Sequence, residues 1–383
     1  MARKNGNGEG TISKRKDGRW ESRLTHGKRA DGRPRRITLY GKTRKDVADQ
    51  LNEMLNAQNK GVLVAPDQLT FAVYLQKWLA GKQAAGRRES TIAGYTNMVE
   101  KHLSPFIGDL RVQKLEPLHL ETLYGQLRAK GLGPRMVQLS HVILYNVLKQ
   151  AKRDGIVFRN VAELVERPAV TPYEAAIWTG EQVVAFLTGI REHRWFLFYY
   201  FSVTTGMRRG ELLGLQWQDI DFEEGRLSIR RNLTTAGRKV VMSEPKTRSG
   251  RRTLYLTTEA LDLLKVHREA QDARRSKLGE KWPGNGHVFV TQIGTTIRPI
   301  KMSREFDQLG KKLGMPRIRL HDLRHTNASL ASRQGMPIKL LSERLGHSTP
   351  SFTAKTYQHL YDDQHREAAM TLAELTAKKK KVG

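Results

Sequence analysis

Among the 383 residues there is no cysteine. That absence excludes disulfide scaffolds, zinc sites built on thiolates and thiol nucleophiles. No apolar run approaches the roughly 20 residues of a membrane-spanning helix, and the Met1-Ala2-Arg3-Lys4 start lacks a signal-peptide core. Carboxylates are scarce, with 38 Asp and Glu against 67 Lys and Arg, a net charge of +29. There is also no G-x-S-x-G nucleophile elbow and no G-x-x-x-x-G-K phosphate loop. What remains is 38% hydrophobic, enough to bury real cores, and long enough for two or three domains. The basic excess calls for a polyanion, of which nucleic acid is the commonest inside cells. The expectation is a soluble protein of the cytoplasm, in a bacterial nucleoid or a host cell, that faces nucleic acid and no membrane.

The charge is spread rather than confined to a tail. Residues 1–60 carry 16 basic and 7 acidic groups, residues 61–170 carry 15 and 9, and residues 171–383 carry 36 and 22. An even excess of this kind predicts contact with the polyanion along the whole chain. The composition shifts suggest a module over 1–60, a linker at 61–68, a helical domain over 69–167, a doubly prolyl connector at 168–177, and a larger domain over 178–383. In the first module, strand-like runs at Thr11–Lys14, Arg19–Leu24 and Ile37–Tyr40 are followed by a helix capped by Thr43 through Val47, Leu51 and Leu55. A small sheet this basic suits the DNA major groove, and Lys14, Lys16, Arg19, Arg23 and Arg35 are its candidate contacts. The alternative is that these charges merely decorate an exposed sheet face.

From residue 69 the spacing is helical: Phe71, Tyr74, Leu75 and Trp78 on one face, then Thr91–His102, Leu118–Leu127 and Pro134–Arg153. Beyond 178 the pattern is mixed. Helices are expected from Thr179, over Trp195–Val203, Arg208–Gln216, Thr258–Ala270, Met302–Leu313, His321–Arg333 and Ile338–Leu345. Strands are expected at Leu227–Arg230 and Thr253–Leu256, around a Gly- and Lys-rich connection. The fold class is therefore multidomain: a sheet-plus-helix module, an all-α domain, and a mainly helical α+β domain.

The residues able to handle a phosphodiester lie in this last part. Arg208 follows a Gly turn, Lys246 sits in a turn-rich Lys-Thr-x-x-Gly-x-Arg stretch, and His321 and Arg324 stand at i and i+3 on one helical face. His347 lies just past a helix-ending Gly, and Tyr357 comes ten residues later. Each alone reads as surface or packing: an Arg on a helix is usually solvated, and a Tyr usually half-buried. His321 with His325 has metal-ligand spacing but lacks the intervening Glu of the zinc motif. The set in its order carries the signal.

That set, with TGMRRGELLGLQWQDID, HDLRH and LGHSTPSFTAKTYQHL, resembles the tyrosine recombinase (phage integrase) family over roughly residues 178–362. The GTISKRKDGRWESRL…TLYGKTRKDVADQL start is similar to the arm-binding module of integrases, and the middle segment to the core-binding domain. The resemblance implies a site-specific recombinase that cuts and rejoins DNA through a 3′-phosphotyrosyl intermediate and a Holliday junction. Tyr357 would be the nucleophile, and Arg208 and Arg324 would clamp the phosphate oxygens. Lys246, favoured over Lys239, would protonate the leaving 5′ oxygen. His321 would assist proton transfer, His347 would bind the phosphate, and Glu211 would hold the site together. Arg209, Asp322, His325 and His359 are read as structural or backbone-contacting.

No metal, nucleotide or other cofactor is implied, since the phosphotyrosyl bond conserves the energy of the broken one. The implied partners are attachment DNA of core and arm types, a homotetramer, a host DNA-bending protein and an excision directionality factor. A short amphipathic helix at residues 367–375 would dock on the next protomer, and Lys378–Lys381 reads as a solvated basic tail. The competing readings are a Xer-type resolvase, which typically lacks the first module, a type IB topoisomerase, and a DNA-binding regulator that never cuts.

Overall fold

In the computed structural model, residues 11–15, 18–28, 34–41, 43–59, 69–157, 159–171, 173, 175–245 and 250–357 are described. The chain divides into two compact units, Met1–Pro172 and Tyr173–Gly383.

In the first unit, strands β1 (Thr11–Lys14), β2 (Trp20–Lys28) and β3 (Pro34–Gly41) form an antiparallel sheet in sequence order. Helix α1 (Arg44–Asn59) packs on that sheet through buried Val47 and Leu51. A reciprocal cap starts it: Asp46 N–H donates to Thr43 Oγ1 at 3.1 Å, and Thr43 N–H donates to Asp46 Oδ2 at 3.0 Å. The strand register places Glu21 and Arg23 opposite Tyr40 and Thr38. Strand alternation therefore puts these polar groups on one face of the sheet.

The helices that follow are α2 (Phe71–Ala84), α3 (Glu89–Met98), α4 (Ser104–Ile107), α5 (Pro117–Ala129) and α6 (Pro134–Arg153). Phe71, Tyr74, Leu75 and Trp78 are all buried in one core with Leu123, Leu144 and Leu148. The single helix expected over Thr91–His102 differs: it starts at Glu89 and widens to a π-helical turn over Val99–Leu103. Pro105 gives the reason. It has no N–H and its ring collides with the carbonyl four residues back, so regular α-helical pairing cannot run through it.

The second unit is built around α8 (Phe196–Thr205), which follows α7 (Gly180–Gly189). The α7 start is capped reciprocally by Thr179 and Gln182. Eight of the ten α8 residues are buried, so its apolar run reads as the core. Trp178, Phe186, Tyr199 and Phe306 pack at ring separations of 4.9–5.8 Å. Next come α9 (Arg209–Leu213), β4 (Ile220–Asp221), β5 (Arg226–Ile229), β6 (Asn232–Ala236), β7 (Lys239–Ser243) and β8 (Arg252–Tyr255). One sheet has the order β4-β5-β8, and β6 pairs with β7 as a hairpin. The chain then forms α10 (Thr258–Leu278), α11 (Pro299–Lys312), α12 (Asp322–Arg333), α13 (Ile338–Leu345) and α14 (Pro350–Tyr357).

Three expectations need correction. The helix expected over Arg208–Gln216 spans only Arg209–Leu213, with Gln216 instead bridging to His287. The Gly- and Lys-rich connection contains the β6–β7 hairpin. Its β-branched residues Thr234, Thr235, Val240 and Val241 are all half-buried, and the turn between the strands holds Gly237, which has φ of 59°. Helix α14 was not anticipated, although Pro350 suits a first helical position.

The aromatic cluster yields a stability test. Phe306→Ala removes a ring 2% exposed that touches three other rings. It should cost about 3–5 kcal/mol in urea unfolding of the full chain. A loss below about 1 kcal/mol would show that this cluster does not anchor the unit.

Candidate active site

The site grows from the ends of two helices. Gly206 closes α8 and Gly346 closes α13, with φ of 63° and 66°. A side chain resists this left-handed turn, so glycine ends each helix and leaves its last carbonyls to find other donors. Helix C-termini carry partial negative charge, which favours cations there. Guanidinium groups supply both needs. Arg324, on α12, donates through Nη1 to Gly206 O at 2.7 Å and through Nη2 to Leu345 O at 2.5 Å. Arg208 donates through Nη2 to Gly346 O at 3.1 Å. Arg344 donates through Nη2 to Thr204 O at 2.9 Å. Asn327 Nδ2 donates to the carbonyls of Val203 and Thr204.

Arg208 is also the residue before α9. Its backbone N–H donates to Glu211 Oε2 at 2.9 Å, and its Nη1 donates to Glu211 Oε1 at 2.7 Å. Glu211 is 3% exposed. Burial alone would push its carboxyl up, but the charge and hydrogen bonds of Arg252, together with Arg208, hold it below the usual carboxylate range. Arg208 remains partly exposed, whereas Arg324 is buried. One guanidinium therefore faces the opening while the other lies deeper.

His321 immediately precedes α12 and keeps part of its surface in solvent; His325 lies edge-on to its ring, with centroids 5.6 Å apart. Desolvation by the surrounding protein, then the charges of Arg324 and His325, lower the His321 pKa to about 4. His347 follows α13, and its Nδ1 is hydrogen-bonded to Thr353 Oγ1 of α14 at 2.7 Å. Desolvation, then Arg324 and Arg208, lower its pKa to about 3. Both imidazoles are neutral at pH 7. A groove of about 560 Å³ opens here, lined by Arg208, Arg209, His321, Arg317 and Arg319 among others.

Arg208, Glu211, His321, Arg324 and His347 are thus brought together. Tyr357 is the last residue of α14, one turn past Thr353; its side chain lies outside the described residues, as does Lys246 altogether. In the first unit, Lys14, Arg19 and Arg23 are exposed. Lys14 stands 6.0 Å over the Trp20 ring, and Arg23 pairs with Glu21 at 2.9 Å. Lys16 and the side chain of Arg35 lie outside the described residues, as do His359, residues 367–375 and Lys378–Lys381.

Asp322 is fully buried and accepts from Arg319 N–H and Nη2, each at 2.8 Å, and from Tyr173 Oη–H at 2.9 Å. It anchors the start of the helix that carries Arg324. Arg209 donates to Ser303 Oγ. Sequence reasoning missed Arg252, Arg344, Asn327 and Thr353. For Arg252 there was a signal: strand alternation places it on the same face as buried Leu254.

Residues 179–364 match the phage integrase family, and residues 70–127 match the phage integrase N-terminal SAM-like domain. The chain belongs to the phage integrase family. It is a tyrosine-type site-specific recombinase, acting on DNA by strand cleavage and rejoining. A tyrosine recombinase XerC-like protein of Caldanaerobacter subterraneus subsp. tengcongensis is 26% identical over 92% of this chain and 95% of its own length. An integrase of Streptomyces ambofaciens is 29% identical over 94% of each chain. Among solved structures, the Tn1549 transposon integrase in complex with transposon right end DNA shares the recombinase's fold. Its TM-score is 0.64 at 20% identity, over 79% of this chain and all of that one. Among the described residues, no helix of the recombinase is long and apolar enough to cross a membrane.

The neutral histidines can be tested directly. In imidazole NMR spectra of the unliganded recombinase, His321 and His347 should keep neutral shifts as the pH falls from about 8 to about 5, although a free imidazole titrates near about 6.5. Because both pKa values are depressed by folding, their contribution to stability is complete above that unfolded value. It is lost as the pH falls through about 4 for His321 and about 3 for His347. A titration of either ring between pH 5.5 and 7.5 would contradict this electrostatic picture.

Proposed function

We propose that the chain is the integrase of a phage or integrative mobile element, joining attachment DNAs through a 3′-phosphotyrosyl intermediate and a Holliday junction. The observation that carries this reading is the convergence of Arg208 and Arg324 on adjacent carbonyls, Gly346 and Leu345, beside His347. Arg208 and His321 at the groove, with Arg324 and His347 close behind Arg208, suit an incoming phosphodiester better than any neutral substrate.

In the proposed chemistry, the Tyr357 phenolic oxygen attacks phosphorus, its proton passing towards His321, which can accept it because it is neutral. The bond from phosphorus to the 5′ oxygen breaks, and Lys246 gives a proton to that oxygen. Arg208 and Arg324 take up the charge that builds on the non-bridging oxygens, and His347 hydrogen-bonds one of them. Religation runs the same steps backwards with a 5′ hydroxyl from the partner DNA, so no external energy source enters.

The organisation proposed is residues 1–60 for arm-type DNA, 69–167 for gripping core DNA, and 178–383 for catalysis, with linkers at 61–68 and 168–177. Exposed Lys14, Arg19 and Arg23 support the first assignment, to which Lys16 and Arg35 are added from the sequence. A homotetramer on DNA, a host DNA-bending protein and an excision directionality factor complete the assembly. Its place is the cytoplasm, at the bacterial nucleoid or in the host cell. The XerC-like relative favours a second reading, a chromosome or plasmid resolvase, which would have no separate arm sites.

The decisive experiment incubates the protein with a duplex spanning the junction between the encoding element and its host chromosome. A denaturation-resistant adduct should form, vanish in Tyr357→Phe, and form about 100-fold or more slowly in Lys246→Ala. An adduct that survives Tyr357→Phe would overturn the nucleophile assignment. Deleting residues 1–60 should abolish footprints at arm sites yet leave core cleavage intact. Footprints unchanged by that deletion would favour the resolvase.

A further inference from the structure

Arg252 has no part in the chemistry proposed above, yet it is among the most enclosed charges of the second unit, its side chain 7% exposed. It lies on β8, 41 residues after Glu211, and donates to that carboxylate twice: Nη2 to Oε2 at 3.0 Å and Nη1 to Oε1 at 3.3 Å. Its Nε donates to Arg344 O at 2.6 Å. The carbonyls of residues 344, 345 and 346 therefore each receive a different guanidinium, from Arg252, Arg324 and Arg208 in turn. His347 is the next residue. Glu211, meanwhile, is gripped from both sides, by Arg208 and by Arg252.

We propose that Arg252 is a positioning residue for DNA cleavage, fixing Arg208 through the shared Glu211 carboxylate and fixing the α13 end that seats Arg208, Arg324 and His347. The inference rests on the reading of Arg208 and Arg324 as the phosphate clamp. Without Arg252, Glu211 would keep one cation and lose the one that β8 brings. The last turn of α13 would likewise lose the donor on its Arg344 carbonyl. Both supports of Arg208 would then loosen together while its own charge stayed in place. A small misplacement of a reacting or clamping group costs rate far more than it costs binding. Arg252 itself donates through all three of its nitrogens to acceptors within the fold.

This role predicts a signature that a loss of fold alone would not give. The charged groups acting on Glu211 are Arg208, on its own turn, and Arg252, from β8; Arg344 and His347 in turn feel the charge of Arg252. With Arg252 gone, burial of Glu211 is opposed chiefly by Arg208, so its carboxyl should gain a proton at higher pH than before. Once protonated, it would hold Arg208 less firmly, and cleavage should fall on the acid side.

The test uses the full-length protein and a nicked duplex spanning the element–chromosome junction, so that cleavage is trapped. Arg252→Gln should bind this duplex with Kd within about threefold of wild type but cleave about 100-fold more slowly. The acid limb of its rate profile should move up by about one pH unit or more. Arg252→Lys, which keeps the charge but not the fork, should fall between the two. The double variant Glu211→Gln, Arg252→Gln should lack the shifted limb. If Arg252→Gln folds poorly, Arg252→Lys carries the comparison, with its rate corrected for the folded fraction. Cleavage by Arg252→Gln or Arg252→Lys at the wild-type rate and pH profile would overturn the inference, as would a slow rate with an unshifted profile. Arg208→Ala and Tyr357→Phe run alongside: if either cleaves normally, the underlying reading of the site fails rather than the role of Arg252.

Discussion

The constraint on which the second unit depends is the mutual repulsion of its own arginines. Arg208, Arg252, Arg324 and Arg344 are gathered around one helix end, and two unit charges 4 Å apart near a protein surface repel by about 4 kcal/mol. Nothing of that kind assembles unless the fold supplies negative charge at the same place. Here it does so twice. Glu211 contributes a full charge, buried and shared between Arg208 and Arg252. The C-terminal ends of α8 and α13 contribute partial charges, through the carbonyls of Val203, Thr204 and Gly206 and of Arg344, Leu345 and Gly346. The glycines that end these helices are thus as much part of the electrostatics as the arginines.

This arrangement also explains why the basic excess of the second unit is not all surface. Arg231 pairs with buried Asp219 at 2.6 Å, and Arg319 pairs with buried Asp322 while lying 3.4 Å over the Tyr173 ring. The partners lie only 12 and 3 residues apart in sequence, and each pair leaves a buried carboxylate unmatched if its arginine is lost. A residue-by-residue charge count overstates what is left for DNA, because several of these cations are committed to holding the fold.

What was legible in the sequence followed from local rules. The Thr43 and Thr179 caps, the one-sided apolar spacing of α2 and the boundaries of α6 are encoded within a few residues of where they act. The order of Arg208, His321, Arg324 and His347 was legible because each sits on a short motif at a helix end. What was not legible depends on pairing at a distance. The β6–β7 hairpin buries little on either face, so its alternation is faint. The π-helical turn before α4 reflects Pro105 competing with a buried Val99 and Leu103. Strand alternation with Leu254 marks Arg252 as inward-facing, but its partner is not visible until the fold brings Glu211 to it, and its burial has meaning only with that carboxylate in place.

The two depressed histidines carry the argument from structure to chemistry. The imidazoles stay neutral first because the surrounding protein desolvates them, and then because a further proton would add to a site already positive. That positive excess is what an incoming phosphate would relieve. A phosphodiester brings one negative charge, and the trigonal-bipyramidal transition state concentrates more on its equatorial oxygens. A cluster held in place by Glu211 and by helix ends need not reorganise as that charge grows, and on the proposed chemistry would stabilise the transition state more than the bound ground state. In the proposed chemistry, the repulsion that makes the site costly to build would be the source of its selectivity for the reacting phosphate.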